Sequence, residues 1–342
     1  MGDRLVCVGS YTEDSGGSGP GLTVLREDAG GTLSTVAELG VSGCSWLAWH
    51  PRLPVGYAVN ELDLGGVTAF ALDADGTPRV LGTLDSGGSA PCQLTVTPDG
   101  RHALVAHYGS GSVAVLALDE RGVPTRRADL AELEGSGPDP DRQEAPHAHM
   151  VTLDAAGTLA TVVDLGTDTL WSYRLTPEGR LVDRVASRLP AGCGPRQLVR
   201  AGGQQAYVVT ELTSELIPLR ESAPGVFEPG EGVPASGWPE RNHCAQLALT
   251  ADGRFGFVSN RGPDTVTAFA LAGDAAPRVV AEHPLGAAWP RHFSLDGRRM
   301  YAAGQTGDVV VGLELDPATG ALTERVRHPV ASPAFVAAVP ER

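Results

Sequence analysis

The sequence predicts an all-β fold: one seven-bladed β-propeller over residues 1–342, four antiparallel strands per blade, closed by pairing the C-terminal inner strand with N-terminal outer strands. A long-period repeat, glycine turns at fixed places in it, and two chain ends that complete each other predict this fold.

The repeat comes first. Seven short apolar runs end in a polar or glycine-rich break: LVCVGSY, YAVNEL, LVAHYGSG, TVVDLGTD, YVVTELTS, FVSNRGPD and YAAGQTGD. With Gly9, Asn60, His107, Asp164, Thr210, Asn260 and Gly304 as equivalent positions, successive intervals run from 44 to 57 residues. A β-helix has a far shorter period, and no amphipathic helix pattern supports alternating βα units. Each run is followed by a second apolar segment, such as VTAF or VAVL, and preceded by another, from WLAWH and QLTVT to HFSL and FVAAV. Turns such as TPDGR, TADGR and LDGRR separate them, and Asp-Gly between apolar runs is a strong hairpin signal. A fourth strand follows many of the turns. At the ends, PAFVAAVP reads as an inner strand without successors, while RLVCVGSY, GLTVLRED and TLSTVAEL read as three outer strands without an inner one. Pairing them removes both open sheet edges.

Composition agrees. Hydrophobic residues make up 42%, enough for a core, but aromatics only 5%, and glycine (44) and proline (26) are abundant, which suits short strands and tight turns. A formal net charge of −15 argues against a nucleic-acid partner, which would need a basic stripe, and makes any cluster of arginines informative. The five cysteines show no Cys-x-x-Cys spacing and read as buried free thiols. The N-terminus shows no leader and no apolar run long enough for a membrane span, so the expected location is cytoplasmic, and a closed ring with no free edge is expected to be a monomer.

In such a fold the start of each inner strand and the end of its neighbour meet on one face, around the axis. The starts are Trp46, Gln93, His149, Gln197, Gln246, His292 and Phe335; the ends are Ser10, Glu61, Tyr108, Leu165, Glu211, Arg261 and Gln305. Arg196 and Arg291 precede the first ring by one residue and His147 by two, and a long insertion at 132–146 runs straight into His147. Arg196, Arg261 and Arg291 suit a phosphate or carboxylate through planar paired hydrogen bonds. His147, His149 and Glu211 are candidates for proton transfer near neutrality. Gln197, Gln246, His292, Glu61, Tyr108 and Gln305 complete the expected substrate-binding set. Plainer readings stand beside these. His-Ala-His is also a metal-site pattern, although without a carboxylate or cysteine series no metal or other cofactor is expected. Single arginines often tie blades together through Asp or Glu. Asp164, Asp168, Asp264 and Asp308 read as turn ties, and DPDRQE as solvated loop.

The motifs PHAHMV (146–151), VDLGTD (163–168), GPRQL (194–198), VSNRG (258–262) and PRHF (290–293), in this order, resemble the seven-bladed lactonase family. Its members include propeller-type 6-phosphogluconolactonases and the fungal carboxy-cis,cis-muconate cyclase. The resemblance covers nearly the whole chain. It implies a metal-independent enzyme acting on a small anionic lactone, with His147, Arg196, Glu211 and Arg261 catalytic: the arginines hold the anion, and His147 and Glu211 share acid and base duties. His107, Gln197, Thr210 and Gly304 depart from residues frequent in the family; their expected place near the mouth would let them alter substrate choice. A lactone-forming cyclase or isomerase acting on an unsaturated dicarboxylate, and a non-catalytic binding propeller, are the competing expectations.

Overall fold

The structure, a computed structural model, describes residues 4–272 and 276–341. Seven antiparallel sheets are arranged as the repeat requires. Blade 1 joins the two ends of the chain: inner strand Pro333–Ala338, then Arg4–Ser10, Gly21–Glu27 and Leu33–Gly40. Blades 2 to 7 follow in order, with inner strands Leu47–Trp49, Pro91–Val96, Ala148–Leu153, Pro195–Gly202, His243–Leu249 and Pro290–Asp296. Only blade 5 departs from four strands, its outer edge being split into Val226–Pro229 and Val233–Pro234. Among the described residues the helical content is one 3-10 turn, Glu13–Ser15.

Burial follows position in the blade. The second strand of blade 3, His102–His107, is buried throughout, whereas fourth strands such as Pro78–Asp85 alternate between exposed and partly buried residues. The core is therefore not one mass. It consists of seven apolar clusters, one between each pair of neighbouring blades, for example Leu104, Val115, Val162 and Trp171 between blades 3 and 4. All five cysteines are free and buried.

Two polar devices repeat around the ring. Residues in the turn after the second strand reach the segment entering the next blade. Asp168 accepts hydrogen bonds from Gly192 N and Gly194 N, Asp264 from Trp289 N, and Asp308 from Ser332 N. These three aspartates adopt φ of 51°, 58° and 49°, a left-handed conformation that Asp tolerates better than most residues. The second device joins inner strands. Trp46 Nε1 donates to Leu94 O, Gln93 Oε1 accepts from Val151 N, Gln197 Oε1 accepts from Leu247 N, and His292 Nδ1 accepts from Val336 N.

A register irregularity sits at the start of most inner strands: between Pro91 and Gln93, Ala148 and Met150, Pro195 and Gln197, and Pro290 and His292. A bulge leaves one residue outside the ladder and re-aims its side chain. Here the bulged residues are Cys92, His149, Arg196 and Arg291. This corrects the alignment read from sequence, in which His149 matched Gln93 and Gln197. The residue equivalent to those glutamines is Met150, whose sulfur accepts from Leu198 N.

Candidate functional site

The bulges explain why charge collects on the axis. A regular strand would alternate its side chains between the two neighbouring blades, whereas the extra residue points between them, into the centre. Cys92, His149, Arg196 and Arg291 line one axial cavity together with Ser45 and His292.

Above this cavity Glu211 is the centre of a network. It follows the second strand of blade 5, and its backbone N–H is held by Gly194 O at 2.8 Å. Arg196 Nε donates to Glu211 Oε2 at 2.9 Å, and Arg261 Nη2 lies 2.8 Å from the same oxygen. Arg142 Nη2 donates to the other oxygen at 2.8 Å and to the Tyr108 hydroxyl at 3.3 Å. Arg196 also donates to Ala245 O, and Arg261 to His243 O. Burial by itself would raise the Glu211 carboxyl, but Arg261 and Arg196 hold it well below the usual carboxylate range. Burial and the neighbouring Arg261 pull the Arg196 guanidinium down to about 9, opposed by Glu211.

A second group forms across blades 7, 1 and 2. Tyr11 donates to Glu61 Oε2 at 2.9 Å, Arg291 stands 3.8 Å from Glu61 Oε1, and its guanidinium lies over the Tyr11 ring at 5.2 Å. Tyr11 and Glu61 keep Arg291 charged despite its burial.

His147 belongs to a third. Its Nδ1 donates to Tyr108 O at 2.8 Å, and its Nε2 is paired with Glu144 Oε1 at 3.1 Å. Tyr108 stacks on the ring at 4.5 Å. The backbone N–H of His147 is fixed by Asp164. Burial and Arg196 keep His149 neutral, its pKa lying well below the usual value, and its ring edge meets Tyr108.

Arg196, Glu211 and Arg261 are thus in direct contact, and Tyr108 with Arg142 connects them to His147. Gln197 donates to Gln246 Oε1 while accepting from Leu247, so its amide lies along the ring between blades. His292 is occupied by Val336 in the same way, and Gln305 is partly buried beside Trp289. The departures from the family pattern also lie inside the blades rather than at the mouth. His107 bonds Ser86 and Ser112, Thr210 bonds Thr213 and Glu215, and a Cβ at Gly304 would come within 2.8 Å of Ala287 Cβ. They fit local packing.

Sequence reasoning missed Arg142. The stretch expected to be solvated loop instead buries Gln143, whose amide donates to Leu165 O and Asp168, and this anchor aims Arg142 and Glu144 to either side. Proximity of the insertion to His147 was the available signal. Tyr11, His243 and Trp289 were also outside the expected set; Trp289 takes φ of 58°, unusual for a bulky residue, with Arg261 over its ring at 5.3 Å.

Comparison with known proteins agrees with the fold. The family described as Lactonase, 7-bladed beta-propeller matches residues 5–338. The chain is 30% identical over 332 residues to the 6-phosphogluconolactonase of Bacillus subtilis, covering 92% of each, and 27% identical over 319 residues to that of Yersinia pestis, covering 90% of this chain and 91% of the relative. The solved structure of the periplasmic gluconolactonase of Pseudomonas aeruginosa superposes with a TM-score of 0.91 at 27% identity, covering 99% of both chains.

Proposed function

The chain belongs to the seven-bladed β-propeller lactonase family, and from that premise we propose that it hydrolyses a small lactone carrying a phosphate or carboxylate, most simply a 6-phosphogluconolactone. One observation carries the preference for an anion. Among the described residues, four guanidinium groups, of Arg142, Arg196, Arg261 and Arg291, meet two buried or part-buried carboxylates, Glu211 and Glu61, with the exposed Glu144 beside His147, in a protein of net charge −15. An excess of positive charge in a cleft draws anions and holds them where water is scarce.

The arginines divide by accessibility. Arg196 and Arg261 have side chains 4% and 5% exposed and are committed to Glu211, while Arg142 and Arg291, at 27% and 17%, can reach a ligand. In this reading Arg142 and Arg291 meet the anionic end of the substrate and the developing oxyanion. Glu211, held as a carboxylate by three guanidinium groups, anchors the cations instead of sharing proton transfer. His147 does that work. Its Nε2 takes a proton from water as the water oxygen adds to the lactone carbonyl, and Glu144 accepts a hydrogen bond from the imidazolium so formed. The tetrahedral intermediate then collapses, the ring C–O bond breaks, and the leaving alkoxide recovers the proton from Nε2, giving the hydroxy acid.

The test is acid release measured on phosphorylated, carboxylated and neutral lactones, with His147→Asn as the control. Turnover of the anionic lactones with a kcat lower by about 10²–10⁴ in the variant is expected. Equal efficiency on neutral and phosphorylated lactones would defeat the anion assignment, and an unchanged kcat in His147→Asn would defeat the proposed base.

A further inference from the structure

We propose that the axial cavity beneath the mouth binds a single monatomic anion, chloride or a heavier halide, between Arg196, Arg291 and Ser45. The inference goes beyond the reaction proposed above and does not depend on it.

The cavity has a cationic, donor-rich wall. Arg196 and Arg291 reach it from blades 5 and 7, each thrown inward by a bulge. Ser45, which precedes Trp46 in blade 2, is 3% exposed, and its hydroxyl has no hydrogen-bond partner although it borders this space. A buried hydroxyl without a partner is costly, which argues for a ligand to receive it. His292 contributes a further donor: Nδ1 accepts from Val336 N, so the proton resides on Nε2. Burial, followed by the charge of Arg196, takes this ring down to about 3, so it stays neutral. The lining contains no carboxylate among the described residues, which disfavours a cation.

Charge balance points the same way. Glu211 neutralises part of the charge on Arg196 but is shared with Arg261 and Arg142, and Glu61 stands 3.8 Å from Arg291. Two guanidinium groups facing one buried cavity repel each other, and an anion between them reverses that term. Size selects the class. The space admits about one water-sized group, so a halide fits and a phosphate or carboxylate does not.

Crystals of the wild-type protein soaked in sodium bromide, with data collected at the bromine edge, should show an anomalous peak on the axis in contact with Arg196, Arg291 and Ser45 Oγ. In solution, bromide titrated against sodium isethionate at constant ionic strength should raise Tm saturably by about 2–4 °C. Isethionate is too bulky to enter. Ser45→Ala should weaken the bromide midpoint about tenfold or more. No anomalous density on the axis, or identical Tm in both salts, overturns the proposal. So does a bromide shift that survives Ser45→Ala unchanged. If that variant does not fold, the wild-type diffraction experiment decides.

Discussion

Replacing Glu211 by glutamine keeps the shape of the side chain and removes the charge on which three guanidinium groups converge. Its carboxylate is 7% exposed, and the two closest cations, Arg196 and Arg261, are 4% and 5% exposed, so the surviving charges cannot turn to solvent. Breaking a buried ion pair by removing one partner costs about 3–5 kcal/mol. Arg142, at 27% exposed, recovers water and adds little. The pH dependence follows from the depressed carboxyl. The unfolded chain takes up this proton first, so the stabilisation is complete above about pH 4.3 and is lost as pH falls through the lower native value. Urea unfolding followed by the fluorescence of the five tryptophans measures both effects. At pH 7 Glu211→Gln should be less stable by about 3–5 kcal/mol, and the gap to wild type should narrow below pH 4. A variant within about 0.5 kcal/mol of wild type at pH 7 would show that the arginines do not need this anchor.

Three further outcomes are expected. Arg142→Ala should raise KM for a phosphorylated lactone about tenfold or more while leaving KM for a neutral lactone unchanged, as steady-state kinetics on both will show. Gln197→Ala removes the acceptor for Leu247 N and should lower stability by about 1–3 kcal/mol without changing KM; a KM effect would mean that the amide touches substrate. Burial takes His107 down to about 4 and His292 to about 3, so between pH 6.5 and these values the unfolded chain binds protons that the native state refuses. Stability should therefore decline as pH drops, by about 2 kcal/mol per ring at pH 5, and His107→Asn should flatten the slope.

The architecture was legible because it depends on period: runs such as YAVNEL and FVSNRG recur at blade spacing, and alternation within a strand survives any choice of side chain. Arg196, Arg261 and Glu211 were legible for a related reason, since the end of one strand and the start of the next must meet. What period could not convey was the bulge. One residue outside the ladder decides whether a side chain faces the axis or the neighbouring blade, and this separates His149 from Gln197 although both follow the same motif position. Arg142 was hidden differently. Its loop has no repeat to compare with, and only the burial of Gln143 against Asp168 reveals that the loop is fixed.

Blade 1 carries a consequence for biosynthesis. Its inner strand, Pro333–Ala338, is synthesised after the other six blades, yet its partner Arg4–Ser10 is synthesised before them. Until then the nascent chain is an open arc, with one edge of Arg4–Ser10 unpaired at one end. A chain stopped before Pro333 would keep six finished sheets and still lack its clasp, offering that strand to any other chain nearby.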